Sequence, residues 1–297
     1  MGASGDSGKD GFTIAEGENM IFDQVSVTWG RDETFSINGD VYNVPIKNSI
    51  IDQGLEIHSC GGLIQTDYRV SLIRNLYIDN KTRNPKVKGM NDFQNNVIYN
   101  WGGGGGYIAG DSDGQSYANI ISNYCISGPD TSVTAFNRGN ANFHGFSTKP
   151  CLRGVEVSEN YYDSDQNGAL DGSALCVKAT CYADMDILTT KYDYPGPSTL
   201  MTAANAVTWV LNNVGANYPS RDSVDKRLLS EVQTWGTTGE LISDETASPI
   251  WRRIPDVWEQ ANGLDYQDAS DAMAISSSGY ANTEVCVNSL VPSTNGS

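Results

Sequence analysis

Basic residues are scarce in this sequence of 297 residues, which has 19 Lys and Arg against 36 Asp and Glu and a formal net charge of −17. A nucleic-acid partner requires a basic surface, so this balance argues against one. An anionic substrate is not excluded. It would require a local source of positive charge, either a basic cluster or a bound cation.

The cysteines also lack a metal-binding pattern. None of the six forms a CxxC pair, which argues against a zinc ribbon. Cys176 and Cys181 lie close together and could close a small disulfide loop or remain buried free thiols. The glycine run at 102–106 lacks the Lys-Ser/Thr ending of a phosphate loop, so it is interpreted as a flexible connector.

Long apolar segments are missing as well. No run approaches the length that spans a membrane, so no membrane partner is expected. The residues after Met1 contain neither the basic nor the apolar part of a signal peptide. Taken literally, these absences describe a soluble, intracellular chain.

What the sequence does contain is a series of short β-rich segments. Between residue 12 and about 163 they alternate with Gly, Asn and Asp turns, which predicts many short strands and few long helices. An apolar-x-Asn or apolar-x-Asp step recurs at intervals of about 20–30 residues, typical of a parallel β-helix whose like side chains stack between coils. A β-sandwich with coincidental turns is the alternative. The repeated positions are Asp23, Asn48, Asn75, Asn96, Asn123 and Asn160.

Two later segments have a different pattern. Residues 199–213 place apolar side chains at helical spacing, and residues 221–234 predict a second helix. The polar sequence after about residue 240 predicts a frayed tail. The predicted organisation is therefore a parallel β-helix domain over 1–196, a covering helical segment over 197–240 and a polar tail over 241–297.

A basic cluster stands out against the acidic background. The stretch NKTRNPKVKG contains Lys81, Arg83, Lys86 and Lys88. Pro85 restricts Asn84 and is expected to hold Arg83 on an extended segment. Lys86 and Lys88 follow strand period and should share one side. Taken alone, the cluster is better explained as a solvated strand edge that deters aggregation.

Acidic residues upstream change that balance. Asp10 lies in a Gly-rich loop, and Asp32 and Glu33 follow a predicted strand. With a coil of roughly 22–25 residues, Asp10 and Asp32 would occupy corresponding positions on adjacent coils. Clustered carboxylates of this kind either bind Ca²⁺ or are simply turn residues at the ends of coils.

Three segments carry a family resemblance across roughly residues 5–240. KDGFTIAEGENMIFDQVSVTWGRDE, NSIIDQGL and TRNPKVKGMNDFQNNVIYNWG resemble pectate lyases of polysaccharide lyase family 1, in particular the fungal C type. The resemblance implies an all-β, right-handed parallel β-helix that cleaves polygalacturonate by β-elimination with Ca²⁺. The expected partner is therefore pectin or polygalacturonate, and the expected state is a monomer.

The same resemblance implies roles for individual residues. Arg83 matches the catalytic arginine, Lys88 a substrate-binding residue of the same strand, and Asp10 a calcium ligand. Asp32 and Glu33 stand where the family has its other calcium carboxylates. Where many members have a substrate-binding lysine this chain reads HSCGG, which places His58 or Cys60 there. Lys86 is included as a substrate contact. Because arginine is a poor base at neutral pH, an alkaline optimum is expected.

The family also implies secretion of the full-length protein and further coils before residue 10, so a truncated chain is expected. Two glycosylation triplets, at Asn80 and Asn295, support secretion weakly.

A second metal site is predicted at DSDQNGALDGSA, residues 163–174. Asp163, Asp165, Asn167 and Asp171 match the ligand positions of an EF-hand loop, but Ala174 replaces the final glutamate. An ordinary Asp/Asn/Gly turn explains the segment equally well.

Two other functions remain open. One is a metal-independent glycoside hydrolase that uses pairs of aspartates. The other is an inactive carbohydrate-binding β-helix fragment.

Overall fold

A computed structural model of the chain describes residues 8–109, 114–139, 142–147, 159–175, 179–194, 196–243, 256–265, 271, 274–280, 282, 285–286 and 289. Short strands pair in parallel from one coil to the next and form two sheets, as a parallel β-helix requires. The predicted fold class is therefore confirmed. Ile37, Ile64 and Val87 stack in register inside the coils and are fully or almost fully buried.

The larger sheet carries the strands that lead from the basic cluster and the upstream carboxylates. Its main path runs β1-β4-β7-β9-β12-β15-β18, with four further strands paired at its side. The main-path strands are β1 Phe12–Glu18, β4 Phe35–Tyr42, β7 Leu63–Ile73, β9 Lys86–Gln94, β12 Ser116–Ile121, β15 Phe143–Ser147 and β18 Asp186–Leu188. The side strands are β2 Phe22–Asp23, β5 Val44–Lys47, β11 Tyr107–Ala109 and β14 Phe136–Asn137.

The smaller sheet forms a second wall of the solenoid. Its strands are β3 Ser26–Thr28, β6 Ile50–Asp52, β8 Leu76–Ile78, β10 Val97–Tyr99, β13 Tyr124–Ile126, β16 Tyr161–Asp163 and β17 Ser173–Ala174. All pair in parallel except β16 and β17, which are antiparallel. A short 3-10 helix spans Ala179–Cys181.

A stack of buried asparagines links successive coils. Each side-chain oxygen accepts a bond from the backbone N–H of the corresponding residue in the preceding coil. Each side-chain nitrogen donates to a backbone carbonyl of the preceding coil, three residues before that corresponding residue. Asn123, for example, accepts from the Asn96 N–H at 2.8 Å and donates to the Phe93 carbonyl at 2.9 Å. Because buried backbone groups need partners, this stack stabilises the coil turns. Its members are Asn75, Asn96, Asn123 and Asn160.

The predicted repeat is right for these four positions and wrong for the first two. The residue in the preceding coil that corresponds to Asn75 is Ser49, whose N–H donates to the Asn75 side chain at 3.0 Å. Asn48 instead donates to Asp23 at 2.8 Å outside the stack. The sequence step is shared, but the register of the early coils differs by one or two residues.

The glycine run at 102–106 is not a flexible connector, which corrects that interpretation. Gly104 packs so closely on the preceding coil that an added Cβ would lie 2.3 Å from the Thr82 side chain. At Gly106 an added Cβ would lie 2.5 Å from the Ala135 carbonyl oxygen. The run therefore allows neighbouring coils to approach next to the basic cluster.

The two predicted helices are present as α1 Ala203–Asn213 and α2 Ser223–Val232. Their apolar faces join the smaller sheet in one buried cluster, which includes Val207, Val210 and Leu228 of the helices and strand residues such as Ile78. The buried face of α1 is formed by Ala203, Ala206, Val207 and Val210, whereas Leu200 lies before the helix and Ala204 is exposed.

The chain consists of two compact units, residues 1–217 with 221–245 and residues 218–220 with 246–297. The coils, α1 and α2 belong to the first unit. In the second, expected to be a polar tail, the described residues form helix α3 Asp256–Ala261 and a small apolar cluster of Cys286, Trp258 and Leu264. Among the described helices, none combines the length and hydrophobicity needed to cross a bilayer.

The described cysteines include both free thiols and a disulfide-bonded residue. Cys181 is disulfide-bonded, whereas Cys60, Cys125 and Cys286 are free and buried. Cys176, the proposed partner of Cys181, lies outside the described residues.

The buried carboxyl group of Asp92 on β9 gives a testable pH dependence. Burial raises the pKa of Asp92 to about 6, although Gln94 donates to it at 2.5 Å. Because the folded pKa exceeds the unfolded one, the native state binds the proton more tightly. The free energy of unfolding therefore falls as pH rises from about 4 to about 6. We expect Asp92→Asn to stabilise the chain by about 2 kcal/mol at pH 8 and by far less at pH 4.

Denaturant unfolding at both pH values measures this difference. Asp40→Asn, at an exposed position of β4, is the matched control and should show no such pH dependence. An Asp92→Asn chain with equal gains at both pH values would contradict the assignment.

Candidate functional site

The candidate site forms where three successive coils enter the larger sheet. Isolated parallel bridges join Glu33 to Cys60 and Cys60 to Thr82, so these positions stack. Arg83 follows Thr82, and the coil before Glu33 carries Asp10. We call the group Asp10, Asp32, Glu33, Cys60 and Arg83 the Arg83 site.

Arg83 forms an ion pair with a buried carboxylate. Its Nη1 donates to Glu33 Oε1, and the Glu33 side chain is only 5% exposed against 30% for Arg83. Such a pair holds the guanidinium in one place. The geometry brings the basic cluster and the upstream acidic residues together, as the stacking argument expected.

The backbone of Arg83 differs from the expectation of an extended segment. Its φ is 55°, in the left-handed region that non-glycine residues rarely adopt. The chain turns here between the bridge at Thr82 and the start of β9. The conformation is held from the preceding coil, because the Gly62 N–H donates to the Arg83 carbonyl at 2.6 Å.

The carboxylates stack in a register one residue away from the predicted one. Asp10 corresponds to Glu33 and not to Asp32, because Phe12 pairs with Phe35 and the Gly11 N–H donates to the Glu33 carbonyl. Asp10 Oδ1 accepts from the Glu33 N–H at 3.2 Å, and Asp10 Oδ2 accepts from Thr13 at 2.6 Å. Asp10 and Asp32 are therefore close, but they are not equivalent positions.

The carboxylate oxygens of this cluster suit a hard cation, whereas its cysteine sulfur does not. Asp32, Glu33 and Cys60 each offer an atom within 4.8 Å of the others. Carboxylate oxygens are the ligands Ca²⁺ prefers. Burial, followed by the charges of Asp32 and Asp10, raises the pKa of the Cys60 thiol to about 12. In the metal-free chain Cys60 is therefore a protonated thiol. The residues that fit Ca²⁺ are Asp32 and Glu33, with Asp10 beside them.

The predicted substrate contacts lie around this cluster. Lys86 and Lys88 alternate with buried Val87, so they share the outer side of β9 as expected. Lys88 Nζ lies 3.3 Å from Asp67 Oδ1. Of the two residues in HSCGG, His58 is exposed and its Nδ1 lies 2.9 Å from Asp32 Oδ1, whereas Cys60 is buried. His58 is therefore the residue that a substrate can reach.

Sequence reasoning assigned no role to two further cations near the Arg83 site. Lys81 Nζ pairs with Glu56 Oε2 at 2.8 Å, about one coil earlier. Arg138 lies within electrostatic range, because its charge acts to lower the pKa of Cys60. It also lines a cavity of about 560 Å³ with Asn137 and Asp184. The basic run pointed to Lys81, but coils of unequal length left no signal for Arg138.

The EF-hand-like segment gathers its predicted acidic residues without helical flanks. Asp163, Asp165 and Asp171 offer oxygens within 4.8 Å of one another, and Asn167 Nδ2 donates to Asp165 at 2.8 Å. Burial raises the pKa of Asp163. The segment is flanked by strands β16 and β17, and Ala174 lies in β17, where no carboxylate completes the loop.

The glycosylation triplet at Asn80 is incompatible with the folded structure. Asn80 is fully buried, and its side-chain nitrogen donates to the Ile51 carbonyl and to Asn84 Oδ1, both at 3.0 Å. No glycan fits on this amide in the folded chain. Asn295 lies outside the described residues.

Comparison with known proteins gives close relatives. The chain is 59% identical over 308 residues to a probable pectate lyase C of Neosartorya fischeri, covering 99% of this chain and 70% of that protein. It is 58% identical over 307 residues to a probable pectate lyase C of Aspergillus terreus, with the same coverage. The probable pectate lyase C of Emericella nidulans is 56% identical over 306 residues, covering 98% of this chain and 69% of that protein. No protein-family model matches the chain.

Proposed function

The chain belongs to the pectate lyase family of polysaccharide lyases, and we propose that it cleaves polygalacturonate in pectin by Ca²⁺-dependent β-elimination. The observation that carries this proposal is the ion pair between Arg83 and Glu33 inside a group of three carboxylates. A lone basic cluster or a lone acidic cluster would not suit the reaction. A polyanionic substrate requires cationic contacts and a neutralising cation at the same place.

Arg83 is the proposed base. The proton at C5 of a galacturonate unit is adjacent to the carboxylate and weakly acidic. When Arg83 takes it, the electron pair left on C5 forms the C4–C5 double bond, and the glycosidic oxygen leaves C4 and takes up a proton. A Ca²⁺ ion held by Asp32 and Glu33, with Asp10 beside them, would neutralise the sugar carboxylate and stabilise the negative charge that develops on the substrate. Lys88 and Lys86, on the outer side of β9, bind further carboxylates of the polymer. His58 provides a contact beside Asp32.

The ion pair with Glu33 also explains why the proposed reaction needs the cation. The Glu33 carboxylate holds Arg83 Nη1 in an ion pair, so the guanidinium is not free to meet a substrate. Arg83 would be released towards the sugar if Glu33 were shared with a second positive charge. The proposed calcium ligands Asp32, Glu33 and Asp10 meet this requirement, since Glu33 would then be shared with the cation.

Chelation should abolish this activity. We expect polygalacturonate incubated with the chain and Ca²⁺ to gain the ultraviolet absorbance of an unsaturated product. We expect a chelator to lower the rate at least about 100-fold, because charge neutralisation supplies several kcal/mol. New reducing ends without absorbance would indicate a hydrolase, and neither signal would indicate a carbohydrate-binding protein. Excess Ca²⁺ added back after chelation is the control and should restore the rate.

We also propose that the loop of Asp163, Asp165, Asn167 and Asp171 binds Ca²⁺ weakly and stabilises the coil. Saturating Ca²⁺ at about ten times its dissociation constant should add about 1.4 kcal/mol to the free energy of unfolding. Asp165→Asn should remove most of this gain and leave the chelator-sensitive activity in place. Asp10→Asn should do the reverse, so thermal unfolding with and without Ca²⁺ separates the two sites. An undiminished gain in Asp165→Asn would refute the loop site.

The substrate lies in plant cell walls, outside the cell that makes the enzyme. Secretion, and action as a monomer, are part of the proposal.

A further inference from the structure

A separate cavity of about 300 Å³ opens on the outer side of the larger sheet, near the C-terminal half of β9. We call it the Tyr68 cavity. It is lined by Tyr42, Asn43, Asp67, Tyr68, Arg69 and Met90. Met90 alternates with Lys88 on the same outer side of β9, so the cavity and the cationic residues share one surface.

The cavity is built by a fixed irregularity of the sheet. The register between β7 and β9 shifts between Gln65 and Arg69, which moves Asp67 and Tyr68 out of the sheet. Opposite the shift, Gly89 has a φ of 74°, and an added Cβ would lie 1.8 Å from the Thr66 carbonyl oxygen. Only glycine fits there. The two strands therefore hold the walls of the cavity in place.

Its aromatic wall suits the flat, apolar face of a sugar ring. The rings of Tyr42 and Tyr68 lie 5.2 Å apart at 50°, and Tyr68 is 46% exposed. Met90 adds apolar surface. Tyrosine combines an apolar ring with a hydroxyl, which is what a sugar with one apolar face and polar edges requires.

Arg69 gives the cavity a cation for an anionic sugar. Among the described residues, Arg69 has no carboxylate within salt-bridge distance, and its guanidinium lies over the Tyr194 ring at 5.9 Å from the centroid. Tyr194 is itself fixed, since its hydroxyl donates to the Val70 carbonyl at 3.0 Å. Asp67 is paired with Lys88, whereas Glu18 and Asp40 act on the Tyr42 side, where Glu18 chiefly raises the pKa of the Tyr42 hydroxyl. The cation available to a ligand is the planar fork of Arg69, which binds carboxylates in a bidentate manner.

We propose that the Tyr68 cavity binds one galacturonate unit of the same polymer whose neighbouring units occupy the Arg83 site. This inference rests on the proposed function. The volume is at the lower end of ligand pockets, about 300–1,000 Å³, which suits one sugar unit and not several. Lys88 links the two places, since it belongs to the basic cluster and pairs with Asp67 of the cavity wall. A long chain engages both, and the second contact raises the effective concentration at the first.

Polymer length provides the test. We expect Tyr68→Ala and Arg69→Gln each to lower the ratio of kcat/KM on polygalacturonate to that on trigalacturonate by about tenfold, the loss of one charge-assisted contact or aromatic platform. Tyr218→Ala removes another exposed tyrosine, one outside the cavity, and should leave the ratio unchanged. A ratio within twofold of the unmodified chain in both cavity variants would overturn the proposal.

Binding without turnover separates this inference from the proposed function. In an Arg83→Ala background, calorimetry with polygalacturonate should show weaker binding when Tyr68→Ala or Arg69→Gln is added. Methyl-esterified pectin should bind less tightly and be insensitive to Arg69→Gln. If the unmodified chain releases no unsaturated product, the proposed function fails, but this comparison still decides the cavity. Equal binding with and without both substitutions would overturn it.

Discussion

Arg83→Lys should lower kcat/KM on polygalacturonate by about 10²–10⁴-fold in buffer with ample Ca²⁺, the range for loss of a positioned proton acceptor. Lysine keeps the positive charge, so polymer binding should survive better than turnover. Its ammonium group would lie elsewhere than the Arg83 Nη1 atom that meets Glu33. The measurement is the rate of ultraviolet absorbance increase, with separate kcat and KM values.

Arg221→Lys is the matched control for this change. Arg221 donates to the Val214 carbonyl from the loop before α2, at 3.1 and 2.7 Å, and is not part of the Arg83 site. We expect wild-type activity from that variant. Full activity of Arg83→Lys under the same conditions would rule out Arg83 as the base. Circular dichroism should show that both variants keep the native fold.

Asn123→Ala should have the largest effect on stability, a loss of about 3–5 kcal/mol in the free energy of unfolding. The substitution leaves the Asn96 N–H and the Phe93 carbonyl without their side-chain partners, and each such buried group costs about 1–3 kcal/mol. It also removes the contact between the Asn123 and Asn160 side chains at 2.9 Å. Denaturant unfolding at pH 7 measures the change.

An exposed asparagine provides the comparison. The Asn212 side chain on α1 is exposed, and within the described part of the chain it donates to the Thr208 carbonyl of its own helix. We expect Asn212→Ala to alter stability by no more than about 0.5 kcal/mol, since surface substitutions are usually of this size. A similar small effect for Asn123→Ala would show that the stack does not hold the coils together.

The sequence allowed the fold and the main partners of the site to be predicted, because both depend on a repeat. Asn75, Asn96, Asn123 and Asn160 recur with the coil, so their periodicity indicates a stack before any coordinates are known. The pairing of the basic strand with upstream carboxylates was implied by the family resemblance, and the period brought Asp10 and Asp32 close to each other. Each of these features recurs from coil to coil, and a recurring pattern can be recognised in the sequence.

What the sequence did not reveal depends on register. A difference of one residue decided that Glu33, not Asp32, is the counterpart of Asp10. The left-handed backbone of Arg83 and the bulge beside Gly89 arise from contacts with neighbouring coils and not from local preference. Arg138 could not be placed because the intervening coils differ in length. Long-range packing of this kind has no local signature.

The asparagine stack also has a direction that bears on how the solenoid is assembled. Each asparagine satisfies a backbone donor and a backbone acceptor on the turn of the preceding coil. Asn75 accepts from the Ser49 N–H and donates to the Ile46 carbonyl. Asn96 accepts from the Asn75 N–H and donates to the Leu72 carbonyl. A turn is therefore complete only after the following coil has been added. During synthesis from the N-terminus, the turn of the newest coil therefore lacks these hydrogen bonds until the next coil has formed. The turn before Arg83 follows the same rule, since Asn80 completes Gly54 and Ile51.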